Sequence, residues 1–498
     1  MTTTSRRLGA GAALVFAALA ITGCAPADAG DAAADLAAPE VGVQLFQLPW
    51  TAVAEECERT IGPAGFGWVL VSPAQEHILN DAWWAAYQPV SYRVESRLGT
   101  REEFADMTRR CAEVGVDVIA DAVVNHMTGQ DAPGVGWAGS PYERLEYPGI
   151  HTATDFHDCT LTPDGDISDY SSRQQVQECE LLNLADLDTA SPVVRDRISA
   201  FLLDLLDLGA AGVRIDAAKH MAADDVAAIV ETLPAGTWVI SEVIRSAREP
   251  ITPEEYTGFG EVFEFQYARD LFPQLQSGLL SDPALGGARP AHVDADAAVV
   301  FIDNHDTERG EADVTAVDGL VYVMANALML ADDFGTPIVF SGYAFIDRDA
   351  GAPQQEDGRV VADMCDDAAV GAALAGVEGL EAGARTCVHA WPAILGMVEW
   401  RRVAGDASRL PGVDAGSAYG FERDGRAVIA ANPDDAATTL RVPTSMPDGR
   451  YCDVVTTGQR IGASGDCGDA VVVVEGGEAV VELEPWQTVA IHRLAPAP

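Results

Sequence analysis

Apolar residues between positions 41 and 343 gather in short runs: VGVQLF, FGWVLVSP, VDVIADAVVNH, AAGVRID, TWVISEV, FGEVFEF, AVVFIDNHD and TPIVFSGY. Within each run the apolar positions are continuous rather than alternating, as in strands covered on both faces. Segments with helical spacing separate most of them, among them REEFADMTRRCAEV and SPVVRDRISAFLLDLLDLG. In the second, Ser191 stands at the N-cap and Pro192 at the first helical position, where its missing N–H breaks no bond. The repeated strand-then-helix unit predicts an α/β fold, a (β/α)8 barrel.

The rhythm breaks once and then stops. Residues 127–187 separate the third strand from its helix and are rich in Gly, Asp, Pro and Tyr. A connection of that length calls for structure of its own, so a small inserted domain is predicted there. The barrel then comprises residues 41–126 and 188–405. Beyond that point AYGFERDGRAVIAANP, TTLRVP, AVVVVEGG, EAVVELEP and QTVAIHRL predict an antiparallel β-sandwich over residues 406–498.

At the amino terminus Arg6 and Arg7 precede LGAGAALVFAALAI, a run too short for a stable membrane span. Residues 1–23 read as an export signal. The signal ends in ITGC, which resembles the bacterial lipobox, so Cys24 is expected to be acylated and to become the new amino terminus. Residues 24–40, rich in Ala, Asp and Pro, then form a tether. This puts the protein on the outer face of the cell membrane, held only by the lipid, or free in the medium. Setting Cys24 apart from the nine cysteines leaves an even number, which in an exported chain points to disulfides. Nearness along the chain favours Cys159 with Cys179, Cys365 with Cys387 and Cys452 with Cys467, leaving Cys57 with Cys111.

Charge narrows the choice of ligand. With 77 acidic against 31 basic residues the formal net charge is -46, which repels nucleic-acid phosphates and anionic membranes. A neutral or cationic ligand fits, bound by a monomer. Polar residues collect where the barrel strands end: Asp121, Asn125 and His126 after the third, Arg214, Asp216, Lys219 and His220 after the fourth, Glu242 after the fifth, and Asn304, His305 and Asp306 after the seventh. That rim is where barrels build active sites. One aspartate after a strand is usually a cap or an ion-pair partner. Four strand ends loaded in this way are not explained as caps.

Asp216, Glu242 and Asp306 are carboxylates on different strands around one axis. Cleaving a glycosidic bond needs one carboxylate to attack or stabilise the anomeric carbon and another to protonate the leaving oxygen. A third raises the pKa of the acid by like-charge repulsion. The chain has no HExxH motif, which favours glycoside chemistry over a metallohydrolase.

VDVIADAVVNH, GVRIDAAKH, ISEVI and FIDNHD resemble, in order and spacing, the four signature regions of glycoside hydrolase family 13. CERTIGPAGFGWVLVSPAQEH and WWAAYQPVSYRV further resemble its animal-type branch, which also occurs in bacteria. The resemblance implies a retaining, endo-acting hydrolase of α-1,4-glucans such as starch, glycogen or maltooligosaccharides. It implies Asp216 as nucleophile, Glu242 as general acid/base, Asp306 as the carboxylate holding substrate hydroxyls, and Arg214 as the residue that orients the nucleophile. His126 and His305 match histidines at the cleavage point, His220 stands beside them, and Trp83, Trp84, Tyr87 and Gln88 match an aromatic-rich subsite wall.

The only lysine of the chain, Lys219, matches one that reaches a sugar hydroxyl just past the scissile bond, a task suited to a compact head on a flexible stem. Asn125, Asp186, Gln177 and His220, the last two through backbone carbonyls, match the ligands of a structural calcium. Arg214 and Asn304 match two of three residues that hold chloride in the animal-type branch. Ala344 stands where the third, an arginine, belongs, so calcium is the expected cofactor and chloride is not. A glucan-transferring or exo-acting relative shares the three carboxylates. An inactive glucan-binding barrel is the non-enzymatic alternative, and the intact carboxylates argue against it.

Overall fold

A computed structural model describes residues 36–280, 291–458 and 467–497. The export signal, Cys24 and most of the tether lie outside the described residues. The chain is already on the barrel by Ala37, whose N–H donates to the Arg402 carbonyl, while Trp68 Nε1 donates to the Glu40 carbonyl. The last residues assigned to the tether are therefore packed.

The strands β1 (Gly42–Leu45), β2 (Trp68–Val71), β3 (Asp117–Ala122), β4 (Gly212–Ile215), β5 (Trp238–Ser241), β6 (Glu261–Phe263), β7 (Ala298–Val300) and β8 (Thr336–Ser341) close into a parallel barrel in sequential order. Around it lie α1 (Trp50–Glu56), α2 (Arg101–Glu113), α3 (Pro192–Asp207), α4 (Ala223–Val230), α5 (Gln266–Ser277), α6 (Leu320–Ala331) and α7 (Pro392–Ala404). The unit after β5 departs from the predicted pattern. Its connection holds only a short 3-10 turn, Pro253–Glu255, in a stretch where Pro250 and Pro253 each remove a helical donor. Helix α3 begins as predicted, with Ser191 at the N-cap and Pro192 behind it, but the Ser191 hydroxyl makes no capping bond.

The barrel interior is apolar at one end and charged at the other. Trp68, Leu70, Ile119, Ile240, Phe263, Val299 and Ile338 fill it from the amino ends of the strands. Trp68 and Trp238 meet edge to face, their centroids 4.7 Å apart. Gly42 makes room for them, since a Cβ there would run into the Trp68 ring. Moving up each strand by two residues keeps to the same face, and on β3, β4 and β5 this replaces apolar groups with Asp121, Arg214 and then Asp216 and Glu242.

The insertion after β3 is a compact unit with a small antiparallel pairing, Gly134–Val135 with Pro141–Tyr142, and a short helix, Arg173–Glu178. Its two ends are zipped together: Met127 N–H donates to the Ala185 carbonyl and Leu187 N–H to that of Asn125. Glu76, wholly buried, pins it to the barrel by accepting from the N–H groups of Ala138 and Ser140 at 2.8 and 3.0 Å.

The carboxyl-terminal domain follows α7. Its strands β9 (Val413–Ala415), β10 (Ala418–Arg423), β11 (Ala427–Asn432), β12 (Thr438–Pro443), β13 (Gly449–Cys452), β14 (Val471–Glu475), β15 (Glu478–Leu483) and β16 (Gln487–His492) form two antiparallel sheets, ordered β9-β10-β11-β16 and β12-β15-β14-β13. A buried cation of this domain, Arg423, reaches the barrel beside Arg401 of α7. Arg401 donates to the carbonyls of Leu330, Asp332 and Gly335, and Arg423 to that of Ala331, so the open carbonyls at the end of α6 are capped from both sides. The four expected disulfides are present: Cys57–Cys111, Cys159–Cys179, Cys365–Cys387 and Cys452–Cys467.

Candidate active site

Strand register assembles the charged end of the barrel. Asp121 pairs with Arg214 across β3 and β4, and Ile215 pairs with Ser241 across β4 and β5. Asp216 and Glu242, one residue further on, therefore leave adjacent strands side by side. Arg214 lies between them. Its Nη1 donates to Oδ1 of Asp121 at 2.6 Å and to Oδ1 of Asp216 at 2.9 Å, and its Nη2 pairs with Oε1 of Glu242 at 2.9 Å. One buried guanidinium thus joins three carboxylates, a task for which its rigid planar fork is suited.

The turn after β4 adds a fourth contact. Ala217 adopts a left-handed backbone with φ 49°, uncommon for a residue with a Cβ, and its N–H donates to Oε2 of Glu242 at 2.9 Å. Burial pushes the pKa of Asp216 and of Glu242 up, and Arg214 pulls both back. Asp121 is pushed up to about 7 by burial despite Arg214. For Glu242 the like-charge effect expected from a third carboxylate is present, but it ranks below burial and comes from Asp216. One cation among three buried carboxylates cannot support full ionisation, so the cluster holds a proton that an acid catalyst needs.

Asp306 closes the ring from the β7 side, with Oδ2 3.2 Å from Nε2 of His305. Asn304 shapes that turn, accepting at its Oδ1 from the N–H groups of Asp306 and Thr307. Tyr87 stacks on His305 with centroids 5.0 Å apart and sends its hydroxyl to Oδ2 of Asp121. Trp83 stands edge-on to both rings and is half-buried at the cleft, its carbonyl held by Gln47 Nε2 and its Nε1 by the Arg348 carbonyl. Trp84 is half-buried against the core.

Gln88, expected in the subsite wall, and His126, expected at the cleavage point, also make contacts within the protein. Gln88 Oε1 accepts from Thr128 Oγ1 and Gly129 N–H, tying down the start of the insertion. His126 donates from Nε2 to the Tyr87 carbonyl and accepts at Nδ1 from Asn125, and burial lowers its pKa to about 4.

Lys219 is also committed. Its ammonium pairs with Glu249, donates to the Ile244 carbonyl at 2.9 Å and lies 5.8 Å from the Tyr170 ring centroid. Neither Glu249 nor Tyr170 was apparent from the sequence pattern, since both sit in loops with no strand or helix period to mark them.

The predicted calcium ligands lie on segments that meet pairwise where the insertion joins the barrel: Asn125 with Asp186, and Gln177 with His220. Asn125 Oδ1 is buried without a hydrogen-bond donor, while its Nδ2 faces His126 Nδ1. Asp186 pairs with His126 in an isolated bridge, and its buried carboxyl, pushed up to about 7, receives His157 Nδ1 at one oxygen. His220 Nδ1 donates to the Val176 carbonyl, and Gln177 Nε2 to that of Met221, so the two carbonyl-bearing segments run side by side. A second group of ligand type, Glu56, His389 and Cys365, has its sulfur tied up in the Cys365–Cys387 disulfide.

Residues 69–237 match the family described as alpha amylase, catalytic domain, and residues 413–493 match the alpha amylase C-terminal all-beta domain. The alpha-amylase of Streptomyces violaceus is 41% identical over 88% of this chain and 74% of its own length, and that of Thermomonospora curvata 40% over 92% and 74%. Among solved structures, a mutant of alpha-amylase I from Eisenia fetida in complex with maltohexaose superposes with a TM-score of 0.81 at 31% identity, covering 91% of this chain and 97% of that one.

Proposed function

The chain belongs to the alpha-amylase family of glycoside hydrolases, and from that premise we propose that it is a retaining, endo-acting hydrolase of α-1,4-glucans. The observation that carries the reading is the single Arg214 guanidinium shared by Asp216 and Glu242 beneath the aromatic wall of Trp83 and Tyr87. Asp216 attacks the anomeric carbon while Glu242 protonates the departing glycosidic oxygen. A covalent glycosyl–Asp216 intermediate results, and Glu242, now ionised, takes a proton from the water that hydrolyses it. Asp306 and His305 hold hydroxyls of the sugar being cleaved. Lys219, Glu249 and Tyr170 mark the path of the leaving chain. The complex reported for the Eisenia fetida enzyme supports a maltooligosaccharide in such a cleft.

Two inversions of configuration give net retention, so the first product from soluble starch is the α-anomer. Internal cleavage makes viscosity fall well before reducing sugar accumulates. Proton NMR of the nascent anomer and viscometry on one reaction check both; a β-anomer, or small sugar appearing before viscosity falls, excludes this mechanism or this mode of attack.

The residues at the insertion fit calcium, since a buried donorless amide oxygen and a carboxylate are hard ligands that suit it rather than zinc. Asn125, Asp186 and the carbonyls of Gln177 and His220 would hold the ion, which joins the insertion to the barrel and takes no part in proton transfer. The residues do not fit chloride. Both Nη atoms of Arg214 are already engaged by carboxylates, Ala344 carries no charge, and Arg348 is exposed with its carbonyl on Trp83. Ion removal therefore has two expected outcomes. Exhaustive chelation lowers the melting temperature, because an ion bound only by the folded state stabilises it. Exchange into chloride-free buffer leaves the rate within about tenfold of its starting value.

The disulfides support an oxidising compartment. Together with the signal and acylation read at Cys24, they favour an enzyme displayed outside the cell.

A further inference from the structure

Strand β1 sends one more polar side chain to the catalytic rim than the proposed mechanism uses. Gln44 is 6% exposed, and its Nε2 lies 3.0 Å from Nδ1 of His305. On the opposite edge of the same ring, Nε2 faces Asp306 at 3.2 Å. The ring is held in a stack. Tyr87 lies on it at an interplanar angle of 9° and Phe46 at 27°, and Trp83 abuts its edge. Arg309 fixes its backbone by donating to the His305 carbonyl at 2.8 Å, with its guanidinium over Phe46 and Trp83. The imidazole has no room to turn over and exchange its nitrogens.

A neutral imidazole carries one proton, and the two partners cannot both be indifferent to where it sits. If Gln44 donates its amide N–H to Nδ1, the proton is on Nε2 and points at an ionised Asp306. If Gln44 instead presents its oxygen, the proton is on Nδ1, and Asp306 must be protonated to donate to Nε2. The charged groups facing the ring are Asp306, Arg214 and Arg309, while the Tyr87 phenol is engaged with Asp121. Burial and both arginines hold His305 well below the usual histidine range, which disfavours the doubly protonated ring. Burial and Glu242 push Asp306 up, which favours the second arrangement. However, 39% of the Asp306 side chain is open to the cleft, where water supports the carboxylate. The amide orientation of Gln44 then decides.

Building on the glycosidase reading, we propose that Gln44 is a positioning residue that fixes His305 as the Nε2–H tautomer, so that His305 offers a donor and Asp306 an acceptor to neighbouring sugar hydroxyls. The proton remains on His305 throughout and no bond is made or broken there. Gln44 acts only by filling the Nδ1 lone pair.

Long-range proton–nitrogen correlation on the full-length protein with nitrogen-15 histidine reads the tautomer directly, the His305 signals being those lost in His305→Gln. The expected result is a protonated Nε2 and a bare Nδ1, unchanged from about pH 5 to 8. A proton on Nδ1, or on both nitrogens, overturns the proposal without any variant having to fold. Gln44→Glu supplies an acceptor in the same volume. It should put a proton on Nδ1, lower kcat/KM by about tenfold or more, and shift the alkaline limb of the rate profile, because the added carboxylate holds an extra proton on the ring or on Asp306. Gln44→Leu, which only removes the donor, should lower kcat/KM less and leave that limb in place. A Gln44→Glu protein with the wild-type tautomer and pH profile overturns the proposal. A wild-type enzyme inactive on α-glucans would instead overturn the glycosidase reading and leave the tautomer result standing.

Discussion

Asp216→Asn lowers turnover on soluble starch by about ten-thousandfold, and Glu242→Gln by roughly a hundredfold to ten-thousandfold, each without unfolding the protein. The amides keep the volume and can turn their oxygen to Arg214, so the packing of the cluster survives, although in Glu242→Gln the NH2 then meets the Ala217 N–H and that one hydrogen bond is lost. What is lost differs between the two. The first variant has no anionic oxygen to form the ester, whereas the second has no proton to give the leaving oxygen. A fluorinated glycosyl trap digested for peptide mass spectrometry should carry its label on Asp216, and a label on Glu242 or Asp306 would reverse the roles. The pH profile of the unmodified enzyme follows from the same burial. Asp216 must be ionised and sets the acid limb, whereas Glu242 must be protonated and sets the alkaline limb. Burial moves both upward from ordinary values of 3.8 and 4.5, so the whole bell is displaced to higher pH than two exposed carboxylates would give.

Arg214→Met unfolds more easily by about 3–5 kcal/mol, the scale of leaving buried charge without its partner. Methionine keeps the apolar stem but leaves the space of the guanidinium empty, so the loss combines a cavity with uncompensated charge, and only the charge part varies with pH. Asp121, Asp216 and Glu242 all lose the cation that lowers their pKa, and their folded values rise further above those of the unfolded chain. A group raised on folding stabilises fully below its unfolded pKa, and that stability is lost as pH rises through the folded value. The melting temperature of the variant should therefore fall as pH rises from about 4 towards neutrality, more steeply than in the unmodified protein. A parallel pH dependence in the two proteins would show that Arg214 does not compensate the cluster. Arg214→Lys keeps one charge but cannot fork across three carboxylates, so it recovers part of the stability and little of the rate.

The barrel was legible because its signal is local. Each buried strand is a short apolar run, and each functional carboxylate is the polar residue that ends one, so Asp216, Glu242 and Asp306 needed no knowledge of the tertiary structure. The absence of a helix after β5 was legible in principle too, as Pro250 and Pro253 fall within reach of one turn. Gln44 and Glu249 were not. Gln44 lies inside an apolar run, and its partner His305 is brought to it only by closure of the barrel. Glu249 sits in that proline-rich connection, and nothing in its neighbourhood marks it as the counter-ion of Lys219. Burial as the chief influence on Glu242 was equally invisible, because it depends on how deeply the rim is covered.

The disulfides carry a consequence for biosynthesis. Their partners are separated by 54, 20, 22 and 15 residues, and no other paired cysteine lies between the members of any pair. A chain threaded amino terminus first into an oxidising compartment meets its thiols in pairing order: each odd one waits for the next to emerge, and the bond can close before a later competitor arrives. The connectivity is the one that vectorial oxidation gives by default, so a chain oxidised in that order would reach the correct pairs without an isomerase reshuffling earlier mistakes.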